Sequence, residues 1–144
     1  MMVFEGSEKK FECTAYKINF RAFGIEFFQQ LVYKSNASIL KKLSNNYCDS
    51  YLLSESSLFV WQDRILMITC GNTTLMDSLI FLIDKIQEKN IDSLIFQRKN
   101  EHFSELQISN FEQDIETINS KLSGNILRLG PENDHHNLIY SLPN

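Results

Sequence analysis

Tyr51-Leu52-Leu53-Ser54-Glu55-Ser56-Ser57-Leu58-Phe59-Val60 sets two apolar runs of strand type around four small or charged residues. A polar tetrad between such runs is ordinarily a turn, with hydroxyls and carboxylate accepting hydrogen bonds from nearby backbone amides. Working outward, Tyr47–Leu53, Leu58–Trp61 and Ile65–Cys70 read as three short strands, the last two joined by a tight hairpin at Gln62-Asp63-Arg64. Gly71-Asn72 ends the third. Thr73 or Thr74 then caps a helix running to about Glu88, with Leu75, Leu79, Leu82, Ile83 and Ile86 on one side.

Upstream, Glu8–Phe20 begins with the near alternation of a half-buried strand, and Glu5, Glu8 and Glu12 cluster at its mouth. From Gly24 to Leu43, apolar residues at Phe27, Leu31, Ile39, Leu40 and Leu43 recur with helical spacing, so a helix is expected there, with Ser35-Asn36 as a possible break. Downstream come a strand at Ile91–Gln97 and a helix at Ile108–Leu122 with Phe111, Ile115 and Ile118 inward. Strands at Gly124–Leu129 and Leu138–Leu142 follow, with Gly130-Pro131-Glu132-Asn133-Asp134 as the loop between them. The expected fold class is α+β, a single domain over residues 1–144 in which a mostly antiparallel sheet carries helices on one face.

Composition narrows the function classes. The chain has 144 residues, 43% of them hydrophobic, which suits one globular domain able to bury roughly two-thirds of its extended surface. Its 14 basic and 18 acidic residues give a net charge of -4 with no basic stripe, so nucleic acid is not an expected partner. The longest apolar helix candidate is broken by Asp77 and Asp84, and charges begin at Glu5, so no membrane span or leader is expected. Cys13, Cys48 and Cys70 form no Cys-x-x-Cys pair and are odd in number, which fits free thiols and a cytoplasmic location. His102, His135 and His136 are the only histidines. The adjacent pair, placed in the loop after Asp134, would point in different directions with no carboxylate spacing to complete a site, so no metal is expected.

One chemistry is open to a serine in a strained turn. Its hydroxyl can attack the preceding carbonyl and turn the peptide bond into an ester. Elimination then cuts the chain before that serine and leaves dehydroalanine, which hydrolyses to a pyruvoyl group, a ketone able to condense with an amine and accept electrons. Ser54-Glu55-Ser56-Ser57 is followed by Ile68-Thr69-Cys70-Gly71 and preceded by Phe4-Glu5-Gly6-Ser7-Glu8-Lys9. Further on come Arg98-Lys99-Asn100 and Asn110-Phe111-Glu112-Gln113-Asp114-Ile115-Glu116. In order and spacing these motifs resemble the S-adenosylmethionine decarboxylases of the eukaryotic type, from about Phe4 to Tyr140, over the first half of a family member.

The resemblance implies one half of an αββα sandwich, and a lone half would leave one sheet face bare, so self-association as a homodimer or pairing with a related full-length chain is expected. It implies self-cleavage between Glu55 and Ser56, with Ser56 as pyruvoyl precursor, Cys70 as proton donor, and Glu5 and Glu8 as acidic active-site residues. Phe4 would lie against the adenine of the substrate, S-adenosylmethionine, and Glu55 beside it. Carboxylates and an aromatic face suit a sulfonium cation and a flat base. A thiol suits proton donation because its ordinary pKa lies within about two units of neutrality.

The implied role is supply of the aminopropyl donor for spermidine synthesis in polyamine biosynthesis. Its alternatives are a non-catalytic relative that binds and regulates a full-length decarboxylase, and a truncated product without activity. Two departures stand out. The chain reads Cys70-Gly71-Asn72-Thr73-Thr74 where the family usually reads Cys-Gly-Thr-Thr, so Asn72 looks inserted. Glu12 matches an acidic position of a putrescine cluster in some members, but the chain ends in Leu142-Pro143-Asn144 where the family carries Leu-Asp-Phe, so putrescine activation is not expected. The serine and histidine that assist self-cleavage in the family belong to its second half and have no position here.

Overall fold

A computed structural model of the protein describes residues 7–70, 73–100, 113, 116–122, 125–132 and 135–141, with the backbone alone for 7, 99–100, 125–132 and 135–141. Its strands are β1 (Ser7–Thr14), β2 (Ile39–Ser44), β3 (Asp49–Leu53), β4 (Ser56–Val60), β5 (Arg64–Cys70), β6 (Ser93–Asn100), β7 (Asn125–Glu132) and β8 (His135–Ser141). They form one sheet in the order β2-β3-β4-β5-β1-β6-β8-β7, and every pairing is antiparallel. The N-terminal strand therefore lies inside the sheet, between β5 and β6.

Strand alternation decides which face is covered. Ile65, Met67 and Thr69 of β5 are buried, whereas Leu66, Ile68 and Cys70 are only half-buried. Phe11 and Cys13 of β1, Tyr51 and Leu53 of β3, Leu58 and Val60 of β4, and Leu94 and Phe96 of β6 extend the buried face. Helix α1 (Ile25–Tyr33) packs Phe28, Leu31 and Val32 onto it, and helix α2 (Leu75–Ile86) adds Leu75, Leu79, Leu82, Ile83 and Ile86. Ile118 and Leu122, in and after the helical residues 116–121, join the same core. Phe111 and Ile115 lie outside the described residues. The other face carries Glu8, Lys10 and Glu12 beside half-buried Phe59, Leu66, Ile68 and Ile95, so the α+β class and the one-sided helices are as expected.

Four expectations need correction. The helix expected to Leu43 ends at Tyr33. Asn36 turns the chain with φ 61°, and Ile39–Ser44 is the edge strand β2. On an edge the apolar residues need not alternate into a core, and Leu40 and Leu43 stay exposed. Next, the tetrad turn is only Ser54-Glu55, because Leu53 pairs with Ser56 and β4 already starts there. Gly130, Pro131 and Glu132 belong to β7 rather than to a loop, at a register irregularity between Leu129 and Glu132. An edge strand with a bulge is where a proline without an N–H can sit in a sheet. Finally, His135-His136 begin β8 and pair with Lys99 and Arg98 instead of lying in a loop.

Candidate active site

Three strand ends meet at one rim of the sheet. The start of β4 lies against the end of β5, with Ser56 opposite Thr69. The start of β1 lies on the other side of β5, with Glu8 opposite Cys70. Residues directly opposite in an antiparallel ladder share a face, so Glu8 and Cys70 project side by side from the face the helices leave open. Between β4 and β5 the tie is direct, because the Cys70 N–H donates to the Glu55 carbonyl oxygen at 3.2 Å.

That carbonyl belongs to the peptide bond preceding Ser56, and Ser56 itself is strained, with φ 147°. A φ in this region is essentially reserved for glycine, and a residue with a Cβ is held there at a cost of roughly 1–3 kcal/mol. The strain has a local origin. Two-residue hairpins favour positive φ within the loop, which Gly or Asn supplies. Here the loop is Ser54-Glu55, and the unusual φ falls on the next residue, the first of β4. Two hydrogen bonds fix the loop from the side: Ser54 N–H donates to the Ser38 carbonyl at 2.9 Å, and Ser38 N–H donates to Ser54 Oγ at 3.0 Å.

The electrostatics favour a protonated cysteine. Burial pushes the Cys70 thiol up from its ordinary value, the Glu8 and Glu55 carboxylates push it further, and Lys9 opposes them. Lys9 projects to the opposite face, where its Nζ donates to the Thr73 carbonyl at 2.6 Å. A cavity of about 320 Å³ lies behind the rim on that helix-covered face, lined by Lys9, Thr73, Asp77, Phe96 and Arg98 among others. On the open face Glu12 sits 3.8 Å from the Arg64 guanidinium.

The structure thus brings Glu8, Glu55, Ser56 and Cys70 to one rim, with Glu8 and Cys70 on the open face and Ser56 in register with Thr69 of the covered face. Phe4 and Glu5, with Gly71 and Asn72, lie outside the described residues. The contributions of Ser38, Lys9 and Thr69 were not read from the sequence. Thr69 and Lys9 stood inside recognised motifs, but their side chains act from the covered face. Ser38 carried no signal, since it acts chiefly through its backbone. The helix cap also differs from expectation: neither threonine caps α2 by its side chain, because Thr73 Oγ1 donates to Thr69 Oγ1 at 2.8 Å and Thr74 Oγ1 to the Lys34 carbonyl at 2.8 Å.

The fold is an α+β half-sandwich with a strained serine at a strand start and a cysteine and a carboxylate at the same rim. Comparison with known proteins gives the family. The adenosylmethionine decarboxylase family model matches residues 1–144, so the chain belongs to that family. It is 40% identical to the S-adenosylmethionine decarboxylase proenzyme of Trypanosoma cruzi over 69% of this chain and 29% of that protein. The proenzyme of Dictyostelium discoideum is 31% identical over 93% of this chain and 37% of its own length. That of Trypanosoma brucei brucei is 29% identical over 95% and 40%. The chain therefore spans between 29% and 40% of the length of these relatives. Among the described residues, no helix is long and apolar enough to cross a membrane.

Proposed function

We propose that this chain, as one domain over residues 1–144, carries the self-cleaving serine of a pyruvoyl-dependent S-adenosylmethionine decarboxylase. The observation that carries the reading is the conjunction at the scissile bond: Ser56 is strained at φ 147° and the carbonyl before it accepts the Cys70 N–H at 3.2 Å. Strain raises the ground state of that peptide. The Cys70 N–H is a fixed donor to the oxygen on which negative charge develops when Ser56 Oγ adds to the Glu55 carbonyl carbon.

Collapse of that adduct breaks the Glu55–Ser56 C–N bond and leaves Glu55 esterified to Ser56 Oγ, with the proton passing to the freed amine. Loss of the Ser56 Hα and rupture of the Cβ–O bond release the Glu55 carboxylate and leave dehydroalanine. Water then hydrolyses it with loss of ammonia, and residue 56 becomes pyruvoyl. The donor set fits this group. A pyruvoyl ketone at residue 56 supplies an electron sink for loss of CO2 from an amine substrate. Cys70, kept protonated by burial and by Glu8 and Glu55, holds a proton at Sγ for the carbon that has lost CO2. Glu8 offers a carboxylate toward the sulfonium of S-adenosylmethionine, and Glu5 and Phe4 are assigned the acidic and adenine-stacking roles. The product feeds polyamine synthesis. The open face, with Phe59, Leu66, Ile68 and Ile95 half-buried, suits a second layer from a homodimer or a related full-length chain.

Intact mass under denaturing conditions tests the reading. Cleavage gives fragments 1–55 and 56–144, the second blocked at its N-terminus by pyruvoyl, and Ser56→Ala stays whole. A wild-type chain that remains a single species of 16.8 kDa under conditions where it is folded would overturn it.

A further inference from the structure

Both hydroxyls that the sequence offers for capping α2 are diverted, and each leads toward the rim. Thr73 Oγ1 donates to Thr69 Oγ1, and Thr69 is the register partner of Ser56. Thr74 Oγ1 reaches the Lys34 carbonyl at 2.8 Å, Thr74 N–H reaches the Ser35 carbonyl at 3.3 Å, and Ser35 Oγ returns to the Thr74 carbonyl at 3.4 Å. Ser35 Oγ is buried against Ser78 Oγ, which donates to the Leu31 carbonyl. The short segment after α1 therefore grips the chain just beyond Cys70. Three residues further on, the same segment grips the loop before Ser56 through the two hydrogen bonds between Ser38 and Ser54.

A threonine at an N-cap normally satisfies its own helix, and giving that up leaves α2 without a side-chain cap. What is gained is a bracket. We infer that residues 34–38 set the spacing between the Glu55–Ser56 bond and Cys70, with Thr74 as a positioning residue that acts through the Cys70 strand end. This rests on the self-cleavage reading, and it assigns no role to Thr74 in contact with the reacting atoms. Without the Thr74 hydroxyl, one side of the bracket loses its strongest link, and the Cys70 N–H drifts from the carbonyl it holds.

Thr74→Val removes the hydroxyl at nearly constant volume, and Thr74→Ser keeps it. The expected result in the full chain is self-cleavage slowed about tenfold in Thr74→Val, followed by intact mass over time, with Thr74→Ser close to wild type. A second readout is independent of cleavage. Site-resolved alkylation of Cys70 across pH would show its profile moved to lower pH in Thr74→Val, as the strand end becomes more open to water, and restored in Thr74→Ser. If Thr74→Val does not fold, Ser35→Ala breaks the same bracket from the other side and should show the same two changes. Unchanged cleavage and an unchanged alkylation profile in a folded variant overturn the bracket. If wild type itself does not cleave, the self-cleavage reading falls, while the alkylation profile still decides whether Thr74 positions the Cys70 strand end.

Discussion

Ser56 is a place where the structure stores energy, and the amount can be measured without any catalysis. Ser56→Ala and Ser56→Gly both remove the nucleophile, so both chains stay uncut and can be compared at identical length. Alanine keeps a Cβ at φ 147°, where the backbone meets its strain of roughly 1–3 kcal/mol. Glycine relieves that strain but gives up about 0.5–1 kcal/mol through the greater freedom of its unfolded chain. The difference predicts that Ser56→Gly is more stable than Ser56→Ala by about 0.5–2 kcal/mol. At this chain length that is a rise in Tm of roughly 2–8 °C. Denaturant and thermal unfolding of the two variants provide the assay. A glycine variant equal to or less stable than the alanine variant would refute the claim that Ser56 is held under strain. It would also remove the ground-state argument for cleavage.

Other outcomes follow from burial and charge. Leu79 is fully buried beneath the sheet, so Leu79→Ala should cost about 2–5 kcal/mol of stability in urea unfolding. Arg21 Nη2 lies 2.9 Å from Asp49 Oδ1 and Arg21 Nε 3.3 Å from Oδ2, which holds the Asp49 carboxyl below its ordinary range. The stability this pair contributes is present above the unfolded carboxylate pKa and is lost as pH falls through the depressed folded value. The Tm gap between wild type and Asp49→Asn should therefore be widest near neutrality and close in acid. Glu8 raises the Cys70 thiol, so Glu8→Gln should shift the Cys70 alkylation profile to lower pH. An unchanged profile would mean that the two groups do not face each other.

The best-read parts of the fold were those with strong periodicity and well-marked ends. In α2 five core residues fall on one side, with Asp77 in the first turn and Lys85 in the last, where they complement the helix dipole. The β4–β5 hairpin is readable because two short apolar runs flank Gln62-Asp63-Arg64, and in the structure Trp61 N–H closes on the Arg64 carbonyl. Ile39–Ser44 was misread because Ile39, Leu40 and Leu43 mimic a helix stripe. On an edge strand the core does not enforce alternation, and Lys41-Lys42 guard the edge instead of marking a helix face. Gly130-Pro131 looked like a loop since the signal for a turn and that for a bulged edge are the same two residues. At the candidate site, Glu55, Ser56 and Cys70 stood out only as a set of motifs in order. The φ of Ser56, the reach of Cys70 N–H to Glu55 and the bracket through Ser38 are properties of the assembled backbone.

The position of β1 between β5 and β6 bears on the order in which the site is built. Glu55, Ser56 and Cys70 lie within one short stretch of chain, so the β4–β5 hairpin can bring them together by closing a small loop. Glu8 belongs to a strand that has no neighbour until β5 exists and gains its second only when β6 is in place. The carboxylate beside Cys70 is thus expected to arrive late, although its strand precedes both of its partners in the chain. Pulse-labelled hydrogen exchange during refolding would show this as protection of β4–β5 amides before those of β1. Strand β1 thus joins β5 to β6, and its first residues lie at the same rim as Ser56 and Cys70.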